Sequence, residues 1–261
     1  MAQPAPDSLV NGDDGRRYWD GINADVNGML GGFSSITRVD LQGSRSFLAK
    51  LGIGTKKDRR VVQRALEGGA GYFPSLSIRF YSIPIYLSFH MLTKTLSLDQ
   101  SIGRVTQGML VNVAETVDVI EPIAKFTANL ADKPGVGTVF NMGLEEWTPS
   151  PTDVKYGLVW IQWCAGHLSD AQLVEFLKRC KGVLVPDSGV IVVKENLASG
   201  IEDVFDKVDS SVTRRESKFR DIFERAGLRI VKTELQNGLL EASKENLFPV
   251  RMFALKPAVA R

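Results

Sequence analysis

Cysteine is nearly missing from this chain: Cys164 and Cys180 are the only two in 261 residues. A disulfide framework is thereby excluded, and the thiol usage fits a reducing compartment. Both thiols read as small buried hydrophobes. A dominant charge of one sign is also lacking. Net charge is +2, with acids and bases interleaved, so neither nucleic acid nor a membrane surface is favoured as partner. The opening "MAQPAPDSLV" has no basic-then-apolar pattern, so no signal peptide is expected. Residues 1–15, polar and rich in Pro, Asp and Gly, are expected to be a disordered tail. No glycine-rich stretch ends in Lys-Ser/Thr, which argues against a nucleoside triphosphate. Nor does any cluster of metal-ligating residues stand out.

What is present reads as alternating strands and helices. Helix followed by a glycine turn is expected over 16–32. Ser44 is expected to cap a helix that presents Phe47, Leu48 and Leu51. Short strands are expected at 61–71, 116–122, 138–147 and 189–196, and a nearly continuous apolar one at 156–168. "SDAQLVEFLKRCKGVL" is an amphipathic helix capped by Ser169 or Asp170, and "ESKFRDIFERAGL" is another, stopped by Gly227. "LRIVKTELQ" and "PVRMFALKP" read as a closing hairpin. This alternation implies an α/β fold with a mostly parallel sheet and ligands at the carboxyl ends of its strands. Glu67–Gly71, Glu121, Leu144–Glu145 and Gln162–His167 then share one rim. Glycines at 68, 69 and 71 permit close approach to a ligand, and Glu121 suits a ribose diol. The residues alone leave two cofactors open, a dinucleotide or S-adenosylmethionine.

"YWDGINADVNGMLGGFSSI", "WIQWCAGHLSD", "FLKRCKGVL" and "DKVDSSVTR" strongly resemble the protein α-N-terminal methyltransferases that act on X-Pro-Lys N-termini. The similarity runs from about Tyr18 to Lys256 and leaves out residues 72–101. It implies a class I, Rossmann-like methyltransferase fold: a seven-stranded doubly wound sheet with a C-terminal antiparallel hairpin and an N-terminal helical extension. It further implies one domain over 16–261 and S-adenosyl-L-methionine as cofactor. The substrates would be proteins with a small first residue exposed by loss of the initiator Met, ribosomal proteins among them, in the cytoplasm and also the nucleus.

The family's cofactor residues fall on Glu67, Gly69, Gly71, Gly103, Arg104, Glu121, Leu144, Glu145 and Gln162. Arg104 is expected to pair with the cofactor carboxylate, Glu121 to bind the ribose, Leu144 and Glu145 to hold the adenine, and Gln162 the methionine end. The peptide set falls on Trp19, Leu30, Gly31, Trp163, Asn196, Asp206, Ser211 and Phe248. Asp209 and His167 are the catalytic pair. Trp160 is assigned to the core.

Residues 72–101 depart from the family's pattern. They contain no glycine, although the chain has 24, and hold three of its five tyrosines. Removing them joins "LEGGAG" to "IGRVTQGML" in an unbroken strand-turn-helix. A membrane segment would need about 20 apolar residues, which Arg79, Pro74 and Pro84 interrupt. A lid would sit more naturally away from the cofactor backbone. The Phe, Ser, Leu, Pro and Tyr bias favours translated intron. The insertion is expected to weaken cofactor binding, which makes a catalytically impaired family member the alternative function.

Overall fold

The computed structural model describes residues 4–70, 103–149, 154–243 and 247–259. Gly71, Ile102 and the insertion 72–101 lie outside the described residues. Seven strands form one sheet: β1 (Val62–Gly68), β2 (Ala114–Ile120), β3 (Val136–Phe140), β4 (Leu158–Gln162), β5 (Val190–Asn196), β8 (Leu228–Leu235) and β9 (Val250–Pro257). Their order is β3-β2-β1-β4-β5-β9-β8. The pairs among β1 to β5 are all parallel, and β9 runs antiparallel to both β5 and β8. The expected class I sheet and its closing hairpin are both present. β1 lies between β2 and β4, so the chain changes direction of travel at β1/β4. A crevice opens at such a switch point.

The strands read as continuous apolar runs because both faces of the sheet are covered. Val159, Ile161, Ile191 and Val193 face one core. It is filled by Leu173 and Phe176 of α5 (Asp170–Gly182) and Phe219 and Phe223 of α6 (Glu216–Arg225). Leu158, Trp160, Val190 and Val192 face the other. Here they meet Leu41, Phe47 and Leu48 of α3 (Thr37–Lys50) and Val105 of α4 (Arg104–Gly108). Trp160 is therefore core, as expected. Ser169 closes a full capping box with Gln172 at the start of α5, and Gly227 takes φ +70° after α6.

Two expectations are corrected. Ser44 does not cap a helix. α3 begins seven residues earlier, at Thr37, and Ser44 is buried inside it, its hydroxyl donating to the Asp40 carbonyl at 3.0 Å. Nor are residues 6–15 a disordered tail. Pro6–Leu9 form a 3-10 turn, and Asn11 caps α1 (Gly12–Gly21) by accepting from the Asp13 and Asp14 amides. The Asp7 carboxylate takes the Asp170 amide at 3.1 Å, and the Asn11 amide donates to Ser210 Oγ at 2.8 Å. The polar residues that suggested disorder are caps and long-range anchors, whose partners lie far along the chain.

The helix and glycine turn expected over 16–32 are present: α2 (Val26–Met29) precedes a turn with Gly31 at φ +55° and Gly32 at φ +92°. A small hairpin of β6 (Val204–Asp206) and β7 (Ser211–Thr213), which was not anticipated, stands apart from the main sheet. One short helix, α7 (Leu239–Ser243), packs beside α3.

Candidate active site

Gly68, Ile120, Gln162 and Asn196 end β1, β2, β4 and β5, so the side chains that follow them converge on one rim. Two cavities meet there at Gly69, which takes φ +74°. The first, about 380 Å³, is walled by Gly12, Arg16, Pro122, Leu144, Cys164 and Leu168, with Gly143, Glu145 and His167. The second, about 400 Å³, is walled by Leu30, Glu67, Ala70, Arg104, Val105 and Gln162, with Val26 and Met29. Ala70 and Arg104 flank the undescribed segment 71–102 and still line the same cavity. The two halves of the interrupted turn therefore meet.

The expected cofactor residues divide between these cavities. Glu67 is buried, and its Oε2 accepts from Thr106 Oγ1 at 2.5 Å. Burial lifts its carboxyl to about 7, against the Thr106 bond and the Arg104 charge. Arg104 Nη1 lies 2.6 Å from Asp40 Oδ2, and its guanidinium sits 5.4 Å from the centre of the Trp163 ring. Gln162 donates from Nε2 to both Asp40 oxygens and accepts from Trp160 Nε1 at 3.0 Å. In the first cavity, Leu144 contributes a wall, and Glu145 is clamped by Arg16 Nη1 at 2.8 Å. Glu121 follows β2 directly. It is wholly buried, with Oε1 accepting the Ile123 amide at 2.9 Å, and Pro122 is the neighbour that lines the cavity. Gly103 takes φ +100° as it leads into α4.

The peptide and catalytic candidates gather beside these cavities. Trp19, Leu30 and Trp163 pack in one buried cluster with Met29 and Val250. Trp163 holds φ +56°, and its amide donates to the Lys194 carbonyl at 3.0 Å. The Trp19 and His167 rings meet edge to face, 6.3 Å between centroids. His167 Nε2 lies 4.0 Å from Asp209 Oδ2, and Asp209 Oδ1 accepts from Ser211 Oγ at 2.7 Å. Burial pushes the His167 imidazole down to about 3, so the ring is neutral at ordinary pH. Asp206 is half-buried at the hairpin, its Oδ1 accepting the Val208 amide at 2.8 Å. Tyr18 is raised by burial and then by the Asp209 and Asp206 charges, which brings it into the same group. Phe248 is partly buried ahead of β9, and its neighbour Leu247 packs on the Trp19–Trp163 cluster.

Asn196 is the most telling residue. It is 3% exposed, yet neither its Nδ2 nor its Oδ1 has a hydrogen-bond partner among the described residues. An amide left buried and unpaired costs about 1–3 kcal/mol per group. Such a group marks a place where a ligand or an ordered water supplies the missing bonds.

Sequence reasoning missed Arg16, which came from the segment flanking the presumed tail, and it missed Asp40 and Arg214. Arg214 is wholly buried and donates to the carbonyls of Ala165 and Leu168, on either side of His167, at 2.9 and 2.5 Å. Its Nε reaches Asp170 at 2.8 Å. It holds the 165–167 turn that presents the imidazole. The available signal was a basic residue closing "DSSVTR", which spacing alone does not distinguish from a surface charge. Among the described residues no group of three or more His, Cys, Asp or Glu could hold a metal. No described helix is long and apolar enough to cross a membrane.

A family model described as AdoMet dependent proline di-methyltransferase matches residues 8–73 and 86–256. The unmatched interval, 74–85, falls inside the stretch set apart above. The α N-terminal protein methyltransferase 1 of Schizosaccharomyces pombe is 38% identical over 246 residues, 92% of this chain and 93% of the relative. The N-terminal Xaa-Pro-Lys N-methyltransferase 1 of Xenopus tropicalis is 31% identical over 92% of this chain and 93% of its own. A solved SAM-dependent methyltransferase from Leishmania major superposes with a TM-score of 0.72 at 32% identity, covering 94% of this chain and 82% of that one.

Proposed function

The chain belongs to the family of AdoMet-dependent proline di-methyltransferases, and from that premise we propose which of its residues methylate the α-amine of an X-Pro-Lys N-terminus. It is an S-adenosylmethionine-dependent enzyme of the N-terminal protein methyltransferases. The residues lining the two cavities that meet at Gly69 suit the cofactor. One is walled by Pro122, Leu144 and Leu168 with Arg16 and Glu145, which suits adenine, and one carries Arg104, Gln162 and Glu67, which suits an amino acid. When bound, S-adenosylmethionine supplies an electrophilic methyl on a sulfonium.

Arg104 and Gln162 hold the methionine end. Leu144 and Glu145, with Pro122 and Arg16, enclose the adenine, and Glu121 receives the ribose. Asn196 bonds the peptide backbone, and Trp19, Leu30, Gly31 and Trp163 shape the place of the proline. Proline loses little conformational entropy on binding there. Asp206 receives the lysine ammonium, and Phe248 closes over the peptide.

An α-amine has a pKa of about 7.7–8.0, and only its neutral form carries the lone pair that attacks. Neutral His167 accepts a hydrogen bond from the amine, and Asp209, held by Ser211, fixes the direction of approach. Because burial disfavours the imidazolium, His167 does not retain the proton, which passes on to solvent. The observation that carries the peptide reading is the orphaned amide of Asn196 at the end of β5.

Nothing in the described residues favours the impaired alternative, since Gly69 and Arg104 share a cavity despite the insertion. Substrates such as ribosomal proteins, in the cytoplasm and nucleus, are the expected cellular targets. The test is mass spectrometry of an X-Pro-Lys peptide incubated with the protein and S-adenosylmethionine. Methyl increments on the α-amine, absent from the N-acetylated peptide, are expected. No increment at any pH between about 7 and 9, a window that brackets the amine pKa, would sink the reading.

A further inference from the structure

Beneath the Arg104 cavity lies a buried charge cluster that the roles above leave unexplained. Asp40 of α3 and Lys194 of β5 are both wholly buried. Asp40 Oδ1 lies 2.5 Å from Lys194 Nζ, and Oδ2 lies 2.6 Å from Arg104 Nη1. Gln162 Nε2 joins the same carboxylate at 3.0 and 3.1 Å. Lys194 Nζ also donates to Ser44 Oγ at 2.8 Å and to Gln236 Oε1 at 3.0 Å. This explains why α3 buries a carboxylate and a serine four residues apart.

The charges do not balance. Burial alone would raise the Asp40 carboxyl, but Lys194 and Arg104 outweigh it and hold it below the usual carboxylate range. Burial lowers the Lys194 ammonium, and Asp40 opposes that. Two cations therefore share one anion. Glu67, the acid that does line this cavity, is partly protonated near neutrality because burial lifts it to about 7. A surplus positive charge so far from water is unfavourable unless a further anion arrives. The cation next to the cavity is Arg104, which has further N–H donors beyond the one given to Asp40.

Resting on the cofactor reading above, we propose that Lys194, anchored by Asp40, is a positioning residue for the amino-acid end of the methyl donor. Through Asp40 it sets Arg104 and Gln162 at the cavity wall, and it supplies the surplus charge that the donor's carboxylate neutralises. The adenosine half of the donor lies in the other cavity and makes no use of it.

Calorimetric titration of the full chain with two ligands tests this. S-adenosylhomocysteine has the amino-acid end, and 5′-methylthioadenosine lacks it. In Lys194→Met, which keeps the length but not the charge, the Kd for S-adenosylhomocysteine is expected to rise about tenfold or more, the scale of one lost buried charge contact. The Kd for 5′-methylthioadenosine should stay within about twofold. Should Lys194→Met not fold, Lys194→Gln, which keeps a donor for Asp40, is read by the same ratio. A merely structural role would weaken both ligands alike, and that result, or unchanged S-adenosylhomocysteine binding, overturns the inference. A wild-type chain that binds neither ligand overturns the cofactor reading itself.

Discussion

The depressed basicity of His167 makes a prediction that separates two pictures of the site. Burial holds the imidazole at about 3, whereas the unfolded chain titrates at the ordinary 6.5. Below pH 6.5 the unfolded state binds a proton that the native state refuses. Stability is therefore full above pH 6.5 and is lost progressively as pH falls towards 3. At pH 5 the deficit is about 1.5 pH units below 6.5, and at about 1.36 kcal/mol per unit that is about 2 kcal/mol. The side chain is 10% exposed, which trims this figure rather than removing it. For a chain of this size about 2 kcal/mol corresponds to roughly 4–8 °C in Tm.

The measurement is urea unfolding of the wild type and His167→Gln at pH 8 and pH 5. His90, the other histidine of two, is common to both proteins and cancels. The variant should lose about 2 kcal/mol less than the wild type between the two pH values. Asp209 Oδ2, 4.0 Å from Nε2, pulls the other way when ionised. If it dominates, His167 is an imidazolium at neutral pH. Its NMR resonances would then titrate above the ordinary value of about 6.5, and the wild type would lose less stability on acidification than His167→Gln. That outcome would refute a neutral hydrogen-bond acceptor. With a neutral ring, the rise of rate with pH belongs to the substrate amine and should be centred near its own pKa of about 7.7–8.0.

Other expectations follow from single features of the rim. Asn196→Ala removes two unpaired buried polar atoms. Peptide KM should rise about tenfold while stability holds or gains up to about 1 kcal/mol, and a destabilised variant with unchanged KM would contradict this. Glu67, raised from 4.5 to about 7, has the opposite sign to His167: its stabilisation is full below the lower value and lost as pH rises through the upper one. Wild type measured against Glu67→Gln should therefore lose up to about 3 kcal/mol over that window, read by unfolding at either end of it. Arg214→Met leaves Asp170 and two buried carbonyls short of donors. It should cost about 3–5 kcal/mol by denaturant midpoint, and a loss under about 1 kcal/mol would mean the 165–167 turn stands without it. Deleting 72–101 should leave the calorimetric Kd for S-adenosylhomocysteine within about threefold, because loop closure grows only logarithmically with length. A much tighter deletion variant would revive the impaired reading.

The sheet was legible because its strands are buried on both faces. Runs such as "LVWIQ" in β4 and "VIVVKEN" in β5 contain almost nothing that could face water until their last residues. The rim residues followed from that, since Gly69, Glu121, Trp163 and Asn196 lie at or just past strand ends. The β6–β7 hairpin escaped because three residues per strand are too few for an alternation to register. Asp40 escaped for a different reason. On a helix with an apolar stripe, an acid reads as solvated unless its partners are known, and here they lie 64 and 154 residues further on. Residues 6–15 failed in the same way, with caps and anchors mistaken for disorder.

The unfavourable features are concentrated where chemistry is expected. Two of the three non-glycine residues with positive φ among the described residues, Trp163 and Ser210, sit at the rim or its hairpin. Such backbone costs of order 1–3 kcal/mol and persists only where its surroundings over-determine it. Trp163 is over-determined. Its amide is tied to the Lys194 carbonyl, and the Lys194 ammonium and the Arg104 guanidinium lie 5.7 and 5.4 Å from its ring centre. The same two cations carry the surplus charge on the donor side. On the proposed roles, the Trp163 ring, carried on this strained backbone, stands between the donor and the peptide's proline, held by groups whose charge balance would change when the donor binds. Positive coupling is expected from this geometry: with donor present the ring is fixed and the peptide should bind more tightly. By linkage, peptide should tighten donor binding by the same factor. Titrating peptide with and without S-adenosylhomocysteine measures that factor. In Lys194→Met it should shrink towards one, and a factor unchanged by that substitution would show that the ring is held by its backbone alone.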